Sequence, residues 1–273
     1  MTTTEAAMTS TTVSARPLIP GWTVRRMLAL VERNFMIYRR SVTPLLYALV
    51  EPVMYLLTIG IGVGTLVGTV PGVDVKYAAY VAPAILTTTA MNTALNQTSF
   101  GVFSRIKLDK TYDAILPTPL SVTDIAIGEI VSAVINGLLT SAGFLVVMAL
   151  MGLIVSPGVL FAVPASLLIG FAFAAGGLAV TTYLRDFADF QYIQLFMLPM
   201  YLFATTFYPL STYPAAIRPI IEILPLYQSI QLVREPALGH WSWSLLVPVA
   251  YLAAFGAAGV WIAARRMTRM MLS

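Results

Sequence analysis

Few side chains in this sequence of 273 residues have the types and spacing that chemistry requires, and what is missing is as informative as what is present. There is no cysteine, which excludes disulfides, thiolate metal sites and cysteine nucleophiles together. The single histidine, His240, stands beside Trp241 and Trp243 and reads as a polar residue of an outer loop rather than a metal ligand or a base. No glycine precedes a lysine anywhere, so the glycine-rich loop whose lysine helps cradle nucleotide phosphates is absent. The chain is therefore not an ATPase, and any drive from ATP has to arrive through a separate subunit. Asp186 and Asp189, in Arg185-Asp-Phe-Ala-Asp189, are two carboxylates without further ligands. They suit the capping of a short turn better than a metal site, and no metal is expected.

The residues that remain are of other kinds. Segment 105–124 gathers charge in a chain that is 58% hydrophobic and only 10% charged, which marks it as a contact surface for a water-soluble partner. Within it, Leu116-Pro-Thr-Pro-Leu-Ser-Val-Thr-Asp124 reads as a helix stop and restart. The prolines end one helix, Ser121 caps the next with Asp124 in its first turn, and Gly128 and Glu129 follow on it. Glu51 lies inside an apolar run, where a charge costs about 2.5–3.5 kcal/mol at mid-bilayer depth and less near the interface. It has to face protein or water, and two readings stand: a structural pairing with a polar group of a neighbouring span, or direct substrate contact or proton coupling. Thr87, Thr88, Thr89, Asn92, Asn96 and Gln97 make the next apolar run polar, with Asn92, Asn96 and Ser99 near one helical face. Such a face either lines a pathway or bonds to neighbouring helices.

The elements that must position these residues are membrane helices. Mean hydropathy is +0.83, and apolar runs of about 20 residues recur, the length a spanning helix needs. No polar stretch is long enough to fold separately, so 21–264 reads as one integral membrane domain, all-α and polytopic. Six spans are expected, at 45–67, 77–103, 125–154, 159–183, 190–208 and 245–264. Ahead of them, 22–40 puts Val24, Met27, Leu28, Val31, Phe35 and Tyr38 on one stripe, with Arg25, Arg26, Glu32, Arg33, Arg39 and Arg40 off it. That is an amphipathic helix, expected in the plane of the cytoplasmic headgroups. Residues 1–20 read as a disordered cytoplasmic tail with no cleavable signal, and 265–273 as a cytoplasmic C-terminal tail.

Between the last two spans, Pro209, Pro214, Pro219, Pro225 and Pro236 accompany Arg218, Glu222, Arg234 and Glu235. Prolines and charges together argue for short outer helices that dip toward the membrane without crossing it. In this topology Lys76, Arg218 and Arg234 fall on one side and every other lysine and arginine on the opposite side, which places both termini in the cytoplasm. The net charge of +4 is thus a matter of topology, and no nucleic-acid partner is expected.

The proline-leucine-serine turn ending at Ser121, followed by Gly128 and Glu129, resembles the cytoplasmic motif that opens the third span in the type-2 permease family of ABC transporters. Further clusters follow in the order that family has: Thr206-Phe-Tyr-Pro-Leu-Ser-Thr-Tyr-Pro214, Leu224-Pro-Leu-Tyr-Gln228, Val233-Arg-Glu235 and Leu238-Gly239. With Glu51-Pro52 they are most similar to the nodulation lipooligosaccharide and daunorubicin-resistance exporter branches. Leu224 departs from the asparagine that the family often has before its proline-leucine pair.

The resemblance implies a permease that pairs with a second permease, equal or different, and with two copies of an ATP-binding cassette subunit. ATP and magnesium would be bound there, and no cofactor by this chain. The first part of the charged segment, 105–116, becomes the coupling helix, with Arg105, Lys107, Asp109, Lys110, Tyr112 and Asp113 docking on the ATPase. In the family the second and fifth spans border the route, which implies a lining of Asn92, Asn96 and Phe100 with Gln194, Met197, Met200, Phe203 and Phe207. Methionine and phenylalanine there suit an amphiphile or a drug. The expected function is ATP-driven export of a drug-like or glycolipid substrate across the plasma (inner) membrane, from the cytoplasm or the inner leaflet. The alternative is a secondary transporter that works without ATP; such folds usually show inverted repeats, and no convincing internal repeat is visible here.

Overall fold

The computed structural model describes residues 43–70, 73, 75–108 and 122–272. The expected interfacial helix at 22–40 and the middle of the charged segment, with Asp109, Lys110, Tyr112 and Asp113, lie outside the described residues. Helices dominate, and the one β pairing among the described residues is an antiparallel bridge between Thr69 and Lys76.

Helix α1 covers Thr43–Tyr55 and runs on through a π-helical stretch, Leu56–Val63, and a last turn, Gly64–Val67. Helix α2 covers Tyr77–Asn96, widens into a π-helical turn at Gln97–Gly101 and ends as Val102–Lys107. Helix α3, Val122–Leu150, stops at Gly152, whose φ of 67° lets the Leu153 and Gly152 amides turn back onto the Met148 and Ala149 carbonyls. Ser156 then caps a short turn, its hydroxyl accepting from the Gly158 amide at 3.2 Å, with Pro157 as first residue of that turn. Helix α4, Ala162–Thr181, follows, then α5, Phe190–Phe203, the short α6, Arg218–Ile223, then α7, Pro225–Ala237, and α8, Leu246–Leu272.

The core is built around α4, which packs against α2, α3 and α8. Small residues set that spacing. A Cβ on Gly259 of α8 would come within 2.7 Å of the Ala175 carbonyl carbon on α4, so only glycine lets the two backbones meet this closely. A Cβ on Gly158 would collide with the Pro236 carbonyl oxygen, which docks the start of α4 onto the end of α7.

Among the described residues, four segments are long and apolar enough to cross a membrane: Leu46–Val67, Thr123–Leu150, Pro157–Thr181 and Trp243–Met267. The other two expected spans differ for physical reasons. Helix α2 has the length, but its threonines and amides dilute its hydropathy. Helix α5 has only 14 residues, fewer than the about 20 that cross a bilayer.

Candidate functional site

A cavity of about 530 Å³ opens between α1, α2 and α5, within the size range of small-molecule pockets. Its polar wall comes from α2. Asn92, Asn96 and Phe100 are exposed along one stripe and all line it. Ser99, expected on that stripe, is buried instead and donates to the Leu95 carbonyl at 2.6 Å. The π-helical turn at Gln97–Gly101 explains the exchange: one extra residue in the turn rotates the helix phase, so position 100 takes the place an ideal helix gives to 99.

From α5, Gln194 and Met197 line the cavity, joined by Leu198 and Tyr201. Met200, Phe203 and Phe207 do not. Met200 is buried in the helical core, Phe203 sits beside the Tyr213 ring, and Phe207 packs edge-on against Tyr201 with ring centroids 5.4 Å apart. Past Phe203 the helix ends and Thr205 takes a left-handed φ of 61°, so helical spacing no longer says where the following side chains fall. From α1 come Ala48, Glu51, Pro52 and Tyr55. Glu51 is exposed to the cavity, and among the described residues its carboxylate makes no hydrogen bond and no ion pair. Glu51 and Tyr55 also line a second cavity of about 340 Å³ with Met54, Thr58 and Ile59.

The other polar groups of α2 are committed to packing. The Asn136 amide of α3 donates to the Gln97 side-chain oxygen, Thr140 donates to Thr93 at 3.3 Å, and Thr181 of α4 donates to the Thr98 carbonyl at 3.0 Å. Thr87, Thr88 and Thr89 return their hydroxyls to carbonyls one turn back. Both readings of this polar helix are thus realised: Asn92 and Asn96 border open space, while Gln97 and Thr93, which also line the cavity, and the buried Thr98 tie helices together.

At one end of the cavity stands the base of the charged segment. Arg105, half-buried at the end of α2, lines the cavity and forms an ion pair with Glu129, which is 1% exposed on α3. The two residues on either side of the segment are therefore joined beneath it. Phe100 and Phe103 meet Phe187 and Phe190, with the closest centroids, Phe103 to Phe187, 5.0 Å apart. These rings fasten the end of α2 to the start of α5. Lys107 is exposed at the end of α2. In the turn before α5, the Asp189 carboxylate accepts from the Arg185 amide at 2.6 Å and the Asp186 amide at 3.2 Å. These bonds hold it below the usual carboxylate range. Asp189 thus closes a turn, as its place in the sequence suggests.

At the opposite end of α2, Arg234 of α7 is buried, 3% exposed. Its guanidinium donates to the Tyr80 hydroxyl at 2.9 Å and to the Thr205 carbonyl at 2.7 Å, and lies 4.1 Å from the centre of the Tyr80 ring. This pin joins α7, α2 and the end of α5. In the sequence Arg234 counts against a span, marks the outer side and belongs to the Val233-Arg-Glu235 cluster; its burial among tyrosines is not legible there.

A bundle of long apolar helices with a cavity between α1, α2 and α5 has the build of a multi-pass membrane protein. The model of the ABC-2 type transporter family matches residues 25–238, and the chain belongs to that family. It is similar to nodulation protein J of Sinorhizobium fredii (strain NBRC 101917 / NGR234), 32% identical over 248 residues, which cover 90% of this chain and 94% of the relative. Nodulation protein J of Rhizobium leguminosarum bv. trifolii is 33% identical over 224 residues, covering 81% and 84% of the two chains. Membership implies a partner ATPase subunit.

Proposed function

We propose that this chain is the transmembrane subunit of an ATP-driven exporter that carries an amphiphile, drug-like or glycolipid-like, out of the cytoplasm or the inner leaflet of the cell membrane. The observation that carries this reading is the position of the cavity directly above the Arg105–Glu129 base of the charged segment. A push on that segment reaches α3 through the ion pair and α5 through the phenylalanine cluster, and α5 is a wall of the cavity. Coupling would thus reshape the cavity by shifting packed helices rather than by any chemistry on this chain.

In this reading Arg105, Lys107, Asp109, Lys110, Tyr112 and Asp113 meet the ATPase, which binds ATP and magnesium and is present in two copies. The chain crosses the membrane six times with both termini in the cytoplasm, and α5 is completed as a span by the residues that follow it. A second permease subunit, the same or different, packs against α1 and α5, whose Leu46, Val50, Leu195 and Leu202 are exposed. Co-purification and reconstitution test the energy source. The exporter reading expects a bound ATPase and transport that requires ATP hydrolysis; transport driven by a proton gradient without ATP would establish the secondary-transporter alternative.

A further inference from the structure

The geometry points to Glu51, flanked by Tyr55 and Tyr201, as a recognition site for the ammonium group of a cationic amphiphile. A carboxylate inside an apolar helix is expensive and is expected to have a partner. Glu51 has none among the described residues, although it opens onto a cavity with room for one. The rings of Tyr55 and Tyr201 line the same cavity, tilted toward each other with centroids 6.2 Å apart. A carboxylate beside two aromatic faces is the combination that attracts an organic cation, through charge and through the ring quadrupoles. Arg105, the one basic residue on the cavity wall among the described residues, is already engaged by Glu129, so it does not neutralise Glu51.

The rest of the wall fits the remainder of such a molecule. Exposed Asn92 and Asn96 offer donors and acceptors to neutral polar groups near the head. Met197 and Leu198 supply an apolar strip for a chain. The same carboxylate disfavours anionic headgroups, so the site sorts amphiphiles by charge as well as by size.

This inference names a substrate class for the proposed exporter and rests on that reading, but its test needs no transport. Full-length protein in maltoside micelles is titrated with a dodecylamine carrying a dansyl group at its far end, and with the N-acetylated, uncharged counterpart. The amine is expected to bind about tenfold or more tightly than the acetylated probe, a difference of about 1.4 kcal/mol. Glu51→Gln should abolish that preference without weakening the acetylated probe, Glu51→Asp should keep part of it, and Tyr201→Leu should weaken the amine selectively. Equal binding of the two probes, or a preference that survives Glu51→Gln, overturns the site. A preference lost together with a change in oligomeric mass would assign the carboxylate to a contact between copies and overturn it as well. An amine preference in a protein that fails to export leaves the site standing and removes the exporter reading alone.

Discussion

Arg234 and Glu51 are both charged side chains in an apolar helical bundle, and the fold treats them in opposite ways. Arg234 is enclosed and bonded to a tyrosine hydroxyl and two backbone carbonyls, with an aromatic ring beneath it. Glu51 is exposed on a cavity wall with nothing among the described residues bonded to it. A buried charge is tolerated only when its hydrogen bonds are largely met, and Arg234 meets most of them, both Nη groups donating across three elements while Nε has no partner among the described residues. Glu51 joins nothing among the described residues. The difference separates a residue that holds the structure from one left available to a ligand, and it does so by partners rather than by residue type.

The sharpest way to break this comparison is to remove the pin. Arg234→Gln strands the Tyr80 hydroxyl and the Thr205 and Thr206 carbonyls, each an unmet group of about 1–3 kcal/mol when buried. We expect destabilisation on the order of 3 kcal/mol, read as a large fall in the midpoint of thermal unfolding followed by size exclusion. Arg234→Lys should recover little, because an ammonium cannot reproduce the planar fork over the ring.

Glu51→Gln should shift the same midpoint little, within about 0.5 kcal/mol, as expected where no folded-state partner is lost. A fall comparable to that of Arg234→Gln would show that Glu51 is structural and erase the contrast. Asp189 is an intermediate case, half-buried yet partnered, and should give the smallest effect. Its carboxylate is held below the ordinary range by the Arg185 and Asp186 amides. Its contribution is therefore present above the ordinary carboxylate range and is lost as pH falls through the lowered folded value. Hydrogen exchange at the Arg185 and Asp186 amides should accelerate in Asp189→Asn at neutral pH, and in the parent only on acidification.

The sequence made Glu51 conspicuous because one carboxylate in an apolar run has no cheap explanation, and the amides of α2 were visible on the same ground. Tyr55 and Tyr201 were not, since tyrosines are common near membrane interfaces and nothing in their spacing links two helices so far apart in the chain. The exchange of Ser99 for Phe100 shows what periodicity cannot supply: ideal helix phase fails at a π-helical turn, and composition does not announce one. Phe207 illustrates the same limit past a helix end, where the left-handed Thr205 resets the direction of every later side chain. The tie beneath the charged segment was half legible. Glu129 stood in a recognisable pair with Gly128, but Arg105 was legible only as a contact with the ATPase, because pairing across the two arms of a hairpin depends on how they pack.

The central claim is that a separate ATPase drives this chain through segment 105–124. Reconstituting the permease with its ATPase and measuring ATP hydrolysis and export in the same vesicles tests it most directly, with Tyr112 and Asp113 both replaced by alanine. The account predicts normal membrane insertion and continued hydrolysis with export lost; unchanged export with both residues altered would contradict it.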